Sequence, residues 1–405
     1  MNVKHPAEGL LILIIGVTIF FPQLPIGSSQ FSTDWAILYA CMAPVLYCCF
    51  SNGCKRGGVG MYLMLFLFHL VSLFYACGVL NVRVNVGDFW TLFTEFRYII
   101  LICLACLCSF DVFYRFFDSF IKVGSIVLVG ICFLEFFNVA GFASILGNYY
   151  SSQLHVDSMT NGAHRIVVTG SDPNVGGVIL SFFFLYRFLS FFVNGRKKDL
   201  WISFVLLACI MQTSSRTVFI GVVCYVVLKL LTDTSIKKYI KVLILAFGGF
   251  LVILLIPYFE YLLSGIQTVM SVEGNSSFNA RLNAWKYFLG LADRSKLLGW
   301  GPANQIIDNF PVDGEYVLLY FRYGLLGLLC YFFVNARMLF FPRVGKYLDN
   351  RMRLYGSYTK AMFFISLFVM LTNNFYSGKQ LFTLYLAVLT IFYNQNLKLR
   401  YTKSN

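Results

Sequence analysis

Residues 59 to 80 read VGMYLMLFLFHLVSLFYACGVL, an apolar run without a single Lys, Arg, Asp or Glu. Its length matches the about 20 helical residues that cross the about 30 Å hydrocarbon layer of a bilayer. Working outward, comparable runs recur at 8–22, 34–50, 91–109, 119–140, 174–193, 200–212, 216–232, 241–262, 316–341, 360–376 and 381–395, which makes twelve expected spans. The whole chain shares this character: of 405 residues 59% are hydrophobic, 18% aromatic and 12% charged, against about 25% charged in soluble domains. Inside lipid the backbone must satisfy its own hydrogen bonds, and runs this long without alternation leave only the helix. The expected fold is an all-α polytopic membrane protein, one integral-membrane domain over residues 1–405. The run Leu10 to Phe21 follows a single Lys and shows no small-residue cleavage site, so it is expected to be a retained helix.

A formal net charge of +14 could suggest nucleic acid, but the basic residues fall in short loops between the apolar runs. Of the 32 Lys and Arg, 21 fall on one side of the twelve-span arrangement, eight on the other, and Arg97, Arg187 and Arg322 lie within spans. By the positive-inside rule the first side is cytoplasmic and holds both termini. Two long outward, periplasmic loops follow, at 141–173 and 263–315. A major-facilitator carrier would have its long basic connection between helices six and seven, where this chain has only Asn194 to Asp199. The twelve cysteines lie almost wholly in or beside apolar runs, which argues against a disulfide framework or a loop-borne zinc site. Cys103, Cys106 and Cys108 read as small packing residues of a helix. The tail Leu397 to Asn405 reads as a solvated basic end.

Each outward basic residue runs against the topological bias and needs a local reason. Arg216 follows Thr213, Ser214 and Ser215 at the start of a span, where a helix N-terminus already presents partial positive charge and unpaired amides. An arginine there opposes the dipole unless an anion lies between them; the blander reading has Ser214 capping the helix and Arg216 snorkelling to lipid phosphates. In the second loop, Ser277 to Ala292 reads as an amphipathic helix. At about 100° per residue, Phe278, Leu282, Trp285, Phe288 and Leu289 form one arc from which Arg281 projects. With Arg165, these arginines could form a guanidinium cluster suited to a pyrophosphate. Asp172 followed by Pro173 and Asn174 reads as an N-cap and first turn. Asp313, Glu315 and Tyr316 open another span, with Arg322, Tyr323 and Gly324 just beyond. A carboxylate at that membrane surface can serve as general base for a hydroxyl, with His155 and His164 as rivals. Two carboxylates without further clustered ligands make a weak cation site, so no metal is expected.

In their order these motifs resemble the O-antigen ligase and polymerase superfamily: Arg165 to Asn174, Ser215-Arg216-Thr217, Arg281 to Trp285, Leu297-Leu-Gly-Trp-Gly-Pro302, Asp313-Gly-Glu-Tyr316 and Tyr323-Gly324. The similarity covers the second half of the chain best. What it implies is a metal-independent glycosyltransferase that uses undecaprenyl-diphosphate-linked glycans, with Arg216 and Arg281 on the diphosphate. In the ligases a histidine of the second loop serves as base; the equivalent place here holds Asp313, which favours a polymerase. The expectation is an O-antigen polymerase of lipopolysaccharide biosynthesis, catalytic through Asp313, Arg216 and Arg281. Arg165 joins the diphosphate ligands, and Asp172, Asn174, Glu315, Tyr316 and Arg322 support them. No cofactor is expected, since neither a P-loop nor a dinucleotide fingerprint is present. Expected partners are the lipid-linked glycans, membrane lipids and a chain-length regulator of the same membrane, and not nucleic acid. The alternatives are an O-antigen ligase acting on lipid A core and a lipid-linked oligosaccharide flippase, for which Glu95, Arg97, Glu135 and His69 would be the intramembrane charges.

Overall fold

The apolar runs fold as helices in a computed structural model that describes residues 5–21, 24–26, 29–31, 33–51, 57–150, 165–233, 237–255, 276–307, 312–340 and 349–404. In chain order they are α1 (Pro6–Phe20), α2 (Thr33–Ala40), α3 (Met42–Ser51), α4 (Gly57–Gly78), α5 (Val86–Leu107), α6 (Phe110–Phe136), α7 (Phe142–Tyr150) and α8 (Pro173–Asn194). Then come α9 (Lys197–Gln212), α10 (Arg216–Thr232), α11 (Lys238–Leu255), α12 (Ser276–Ala292), α13 (Asn304–Ile307), α14 (Glu315–Phe340), α15 (Asn350–Thr372) and α16 (Lys379–Ser404). Between α1 and α2 an antiparallel ribbon pairs Leu24–Ile26 with Ser29–Phe31, a departure from the purely helical expectation.

Among the described residues six helices, α4, α5, α6, α8, α14 and α15, are long and apolar enough to cross a membrane, or up to seven crossings if the bent pair α2 and α3 is one span. That pair, which covers the expected span 34–50, bends by 49°. Pro44 explains the break: it has no N–H, and its ring clashes with the carbonyl four residues back, at Ala40, where α2 ends. α15 begins well before the expected 360, because hydropathy detects the hydrocarbon layer while the helix runs on past it. The basic tail likewise remains helical, as part of α16, through Ser404.

α8 packs against α6, α9, α10, α15 and α16, and its residues from Val178 to Ser190 are all buried. Burial on every face places α8 in the interior of the bundle rather than against lipid. Asp172 caps it by accepting from Asn174 N (2.7 Å) and Val175 N (3.1 Å). The charged Arg187 is satisfied inside: it donates to Asp199 at 2.5 Å, Ser125 Oγ at 3.1 Å and Lys122 O at 2.7 Å. Ser190 adds a bond to the same Asp199 at 2.8 Å.

α14 is broken at Gly324 (φ 66°, ψ −172°). The turn Lys296 to Trp300 inserts there: Leu325 N donates to Lys296 O (2.8 Å), Leu326 N to Leu297 O (3.2 Å), and Trp300 N to Phe321 O (3.0 Å). A Cβ at Gly324 would stand 2.2 Å from Leu297 O, and one at Gly299 2.3 Å from Arg322 O. The two glycines therefore let two backbones interlock, which gives a physical reason for the Leu-Gly-Trp-Gly-Pro and Tyr-Gly motifs. The interlock fixes the loop that follows α12 against the bundle.

Candidate functional site

Six helix ends gather on one side of the bundle: the starts of α8, α10, α14 and α16 and the ends of α9 and α15. Side-chain bonds join them. Arg165 Nε donates to Thr213 O (3.2 Å) and its Nη2 to Asn174 Oδ1 (3.3 Å). Thr217 and Thr372 hydroxyls meet at 2.7 Å, Ser377 donates to Glu315 from N (3.1 Å) and Oγ (2.8 Å), and Gln380 Nε2 reaches Thr169 O at 3.4 Å. The connection Asn373 to Gly378 is thus the floor, with the 165–172 loop, the Thr213–Thr217 turn and the 312–316 segment around it.

Arg216 is the first residue of α10. Ser215, not Ser214, is the N-cap, and its side chain makes no capping bond. Ser214 takes the left-handed conformation (φ 53°) that turns the chain into the helix. The first-turn amides have no intrahelical partners, so α10 presents an uncapped N-terminus beside a half-buried guanidinium.

α12 runs from Ser276, as the amphipathic pattern suggested. Its inward stripe is Arg281, Trp285, Phe288 and Ala292, while Leu289 is 44% exposed and lies outside the face to which it was assigned. Phe288 packs on Phe321 of α14, with ring centroids 4.8 Å apart. Arg281 Nε donates to Asp313 Oδ2 at 3.1 Å, and Trp285 Nε1 donates to Asp313 O at 2.6 Å. The positive φ of Gly314 (123°) turns the chain so that Leu371 O lies 3.1 Å from where its Cβ would be. Leu371 precedes Thr372, the partner of Thr217. The Arg281–Asp313 pair and Arg216 therefore flank the same end of α15.

The supporting residues divide. Arg165, Asp172 and Asn174 lie at the start of α8 on the rim of this assembly. Tyr316 donates from its hydroxyl to Leu367 O at 2.8 Å, tying α14 to α15. Glu315 is fully buried beneath the floor. Arg322 is engaged elsewhere: its Nε donates to Pro302 O (2.9 Å) and its Nη2 to Asn304 Oδ1 (2.8 Å), so it fastens the interlocked loop. His155 and His164 lie outside the described residues.

Of the intramembrane charges that would favour a carrier, His69, Glu95 and Glu135 are engaged in bonds within the bundle, while Arg97 uses one of its three guanidinium nitrogens for hydrogen bonds among the described residues. His69 Nδ1 and Glu95 are 2.5 Å apart, Tyr323 donates to Glu95 at 2.8 Å, and its ring stacks on His69 with centroids 3.6 Å apart. Glu135 accepts from Val167 N (2.8 Å) and Val168 N (2.9 Å), clamping the loop that carries Arg165. Arg97 lies over the rings of Trp35 (4.7 Å) and Tyr98 (4.6 Å) and donates to the Tyr98 hydroxyl, which in turn donates to Tyr376 O in the floor.

The sequence reading missed the floor. Asn373 and Asn374 fell inside the expected span 360–376, whereas the helix ends at Thr372; Ser377 lies between α15 and α16 and Gln380 in the first turn of α16, and a dense polar stretch there was their only signal. Among the described residues no group of three His, Cys, Asp or Glu is arranged to hold a metal ion.

A family model described as O-Antigen ligase matches residues 201–332. The matched segment contains Arg216, Arg281 and Asp313, and excludes the 165–174 segment and the floor. No curated protein matches the chain.

Proposed function

We propose a reaction from one premise: the match over residues 201–332 supports membership of the O-antigen ligase/polymerase superfamily, an enzyme family of membrane-embedded glycosyl transfer. In this reading the chain is an O-antigen polymerase with twelve crossings, both termini in the cytoplasm, and the gathered helix ends at the periplasmic face of the inner membrane. Arg196, Lys197, Lys198, Arg337, Arg351 and Arg353 at the opposite helix ends support that orientation.

The donor is a glycan on undecaprenyl diphosphate. A hydroxyl of a second lipid-linked repeat unit attacks its anomeric carbon, the bond from that carbon to the diphosphate oxygen breaks, and undecaprenyl diphosphate leaves. Charge develops on the diphosphate, and Arg216 with the uncapped amides of α10 offsets it, aided by Arg281 and Arg165. The Arg281–Asp313 pair is half open to solvent, with side chains 28% and 52% exposed, so it is weakly held. A diphosphate that takes Arg281 releases Asp313 to accept the proton of the attacking hydroxyl.

The observation that carries this reading is the placement of Arg216 and of the Arg281–Asp313 pair at one end of α15, through Thr217–Thr372 and Gly314–Leu371. A ligase would use the same donor site with lipid A core as acceptor, a reading that draws on the matched family's description. Against it stands the absence of any histidine between residues 263 and 315. Gel analysis of lipopolysaccharide from a deletion strain separates them: a polymerase leaves core with one repeat unit, a ligase leaves bare core with polymer still on the carrier. Arg216→Ala and Arg281→Ala are expected to reproduce the deletion pattern at normal protein levels. An unchanged ladder would remove their role.

A further inference from the structure

The floor and the elements around it contain more polar groups than the structure satisfies. Thr169 Oγ1, Gln212 Oε1, Ser215 Oγ, Asn373 Nδ2 and Asn374 Oδ1 are buried atoms with no hydrogen-bond partner among the described residues. Thr169 and Ser215 are 1% and 2% exposed. Leaving such a group unpaired costs about 1–3 kcal/mol, and native structures hold few of them. These five come from four separate elements, the 165–170 loop, the end of α9, the N-cap of α10 and the floor, yet the contacts already described bring those elements together. Gln380 ties Thr169 to the floor. Ile166 N donates to Gln212 O at 3.3 Å, and a Cβ at Gly177 would lie 3.3 Å from Ser215 Cβ. Asn374 is oriented by its Nδ2, which donates to Val312 O at 3.2 Å beside Asp313, leaving its Oδ1 as the open acceptor.

The type of these groups says what they would hold. A site for an anion offers donors alone. Here two amide oxygens need a donor, one amide nitrogen needs an acceptor, and two hydroxyls can serve as either. A lipid tail satisfies none of them, whereas a pyranose ring carries hydroxyls that donate and accept at fixed spacing. From this we infer that the floor, with Thr169, Gln212 and Ser215, is a sugar seat that holds the acceptor repeat unit beside Asp313, distinct from the arginines on the diphosphate. The inference rests on the transfer reaction proposed above for its acceptor role. The binding of a neutral sugar, however, can be tested without turnover. Ser215 then stands at the border, its hydroxyl toward the sugar and the amides that follow it toward the diphosphate.

The test uses the full-length protein in detergent and two probes: the repeat-unit oligosaccharide released by mild acid from the host's own lipid-linked pool, and inorganic pyrophosphate. Titration calorimetry on Ser215→Ala, Asn373→Ala and Asn374→Ala is expected to show the oligosaccharide Kd raised about three- to tenfold per substitution, the range of one neutral hydrogen bond. Pyrophosphate binding stays as in the wild type in Asn373→Ala and Asn374→Ala. Arg216→Ala shows the reverse pattern. Ser215→Ala removes a hydroxyl that has no partner, so its thermal midpoint is expected to be unchanged, which keeps the test free of a folding defect. Wild-type protein that does not bind the oligosaccharide, variants that bind it as well as wild type, or floor variants that lose both probes together would each overturn the sugar seat. Oligosaccharide binding that is lost in the floor variants of a protein showing no transfer would sink the polymerase reading and leave the seat standing.

Discussion

Glu135 offers the most direct test of how the buried framework holds the site. It is 2% exposed near the end of α6, and each of its carboxylate oxygens accepts one backbone N–H, from Val167 and Val168, both fully buried. Val168 has φ 60°, a left-handed conformation that is strongly unfavourable for a β-branched side chain. Such strain is of order 1–3 kcal/mol and persists only where the surroundings enforce it. Glu135→Ala strands two buried donors, at about 1–3 kcal/mol each, so the rigid loop would lose about 2–6 kcal/mol. By relaxing Val168 the loop recovers its strain, and it is expected to leave its place at a net cost of about 1–3 kcal/mol, carrying Arg165 with it. Hydrogen–deuterium exchange of the 165–170 segment is then expected to rise well above wild type while α8 and α16 stay protected, with a shortened lipopolysaccharide ladder. Glu135→Gln, which keeps one acceptor oxygen, falls between. Slow exchange at Val167 and Val168 together with a normal ladder in Glu135→Ala would refute the clamp.

Asp199→Ala leaves Arg187 charged and buried, which is expected to cost about 3–5 kcal/mol in detergent unfolding. The double replacement Arg187→Leu with Asp199→Leu is expected to regain most of that loss, and failure to do so would mean that packing rather than charge sets the cost. Asp313→Asn breaks only a half-exposed pair, so stability is expected to fall by under about 1 kcal/mol, while the rate of glycan transfer drops by about 10²–10⁴ for loss of a general base. Transfer at the wild-type rate would retire Asp313 as base. Gly324→Ala forces a Cβ against Leu297 O in a conformation alanine avoids, so little folded protein is expected in fluorescence-detected size exclusion; normal yield would mean the interlock yields easily.

Hydropathy made α4, α5, α6, α8, α14 and α15 legible as helices long and apolar enough to cross a membrane, because it reports the solvent each helix must match. It was blind to helix ends, as at Asn350, where the chain leaves the hydrocarbon but keeps its hydrogen bonds. Arg216 stood out for a local reason, a cation at a helix start. The Arg281–Asp313 pair could not be read, because it joins distant positions across a loop without periodicity. Arg322 looked available for the same reason: nothing in one dimension shows that the Gly299–Gly324 interlock delivers Pro302 and Asn304 to it. The bend between α2 and α3 has a signal in the sequence, since Pro44 sits in the middle of the 34–50 run.

Of the starts of α8, α10 and α14, gathered at this end, α10 alone suits an anion. Each presents partial positive charge, so a bare N-terminus is by itself unselective. At α8 the carboxylate of Asp172 occupies the first-turn amides, and a second anion would meet like charge. At α14 Glu315 stands in the first turn, buried and held by Ser377. At α10 the order is inverted: a cation fills the first position, the N-cap side chain makes no bond to the first turn, and no acidic residue lies in that turn. In an isolated helix that arrangement destabilises, because guanidinium and dipole repel. It becomes favourable when a doubly charged group sits between them, and a lipid diphosphate delivered from the membrane surface is a group of that charge and geometry.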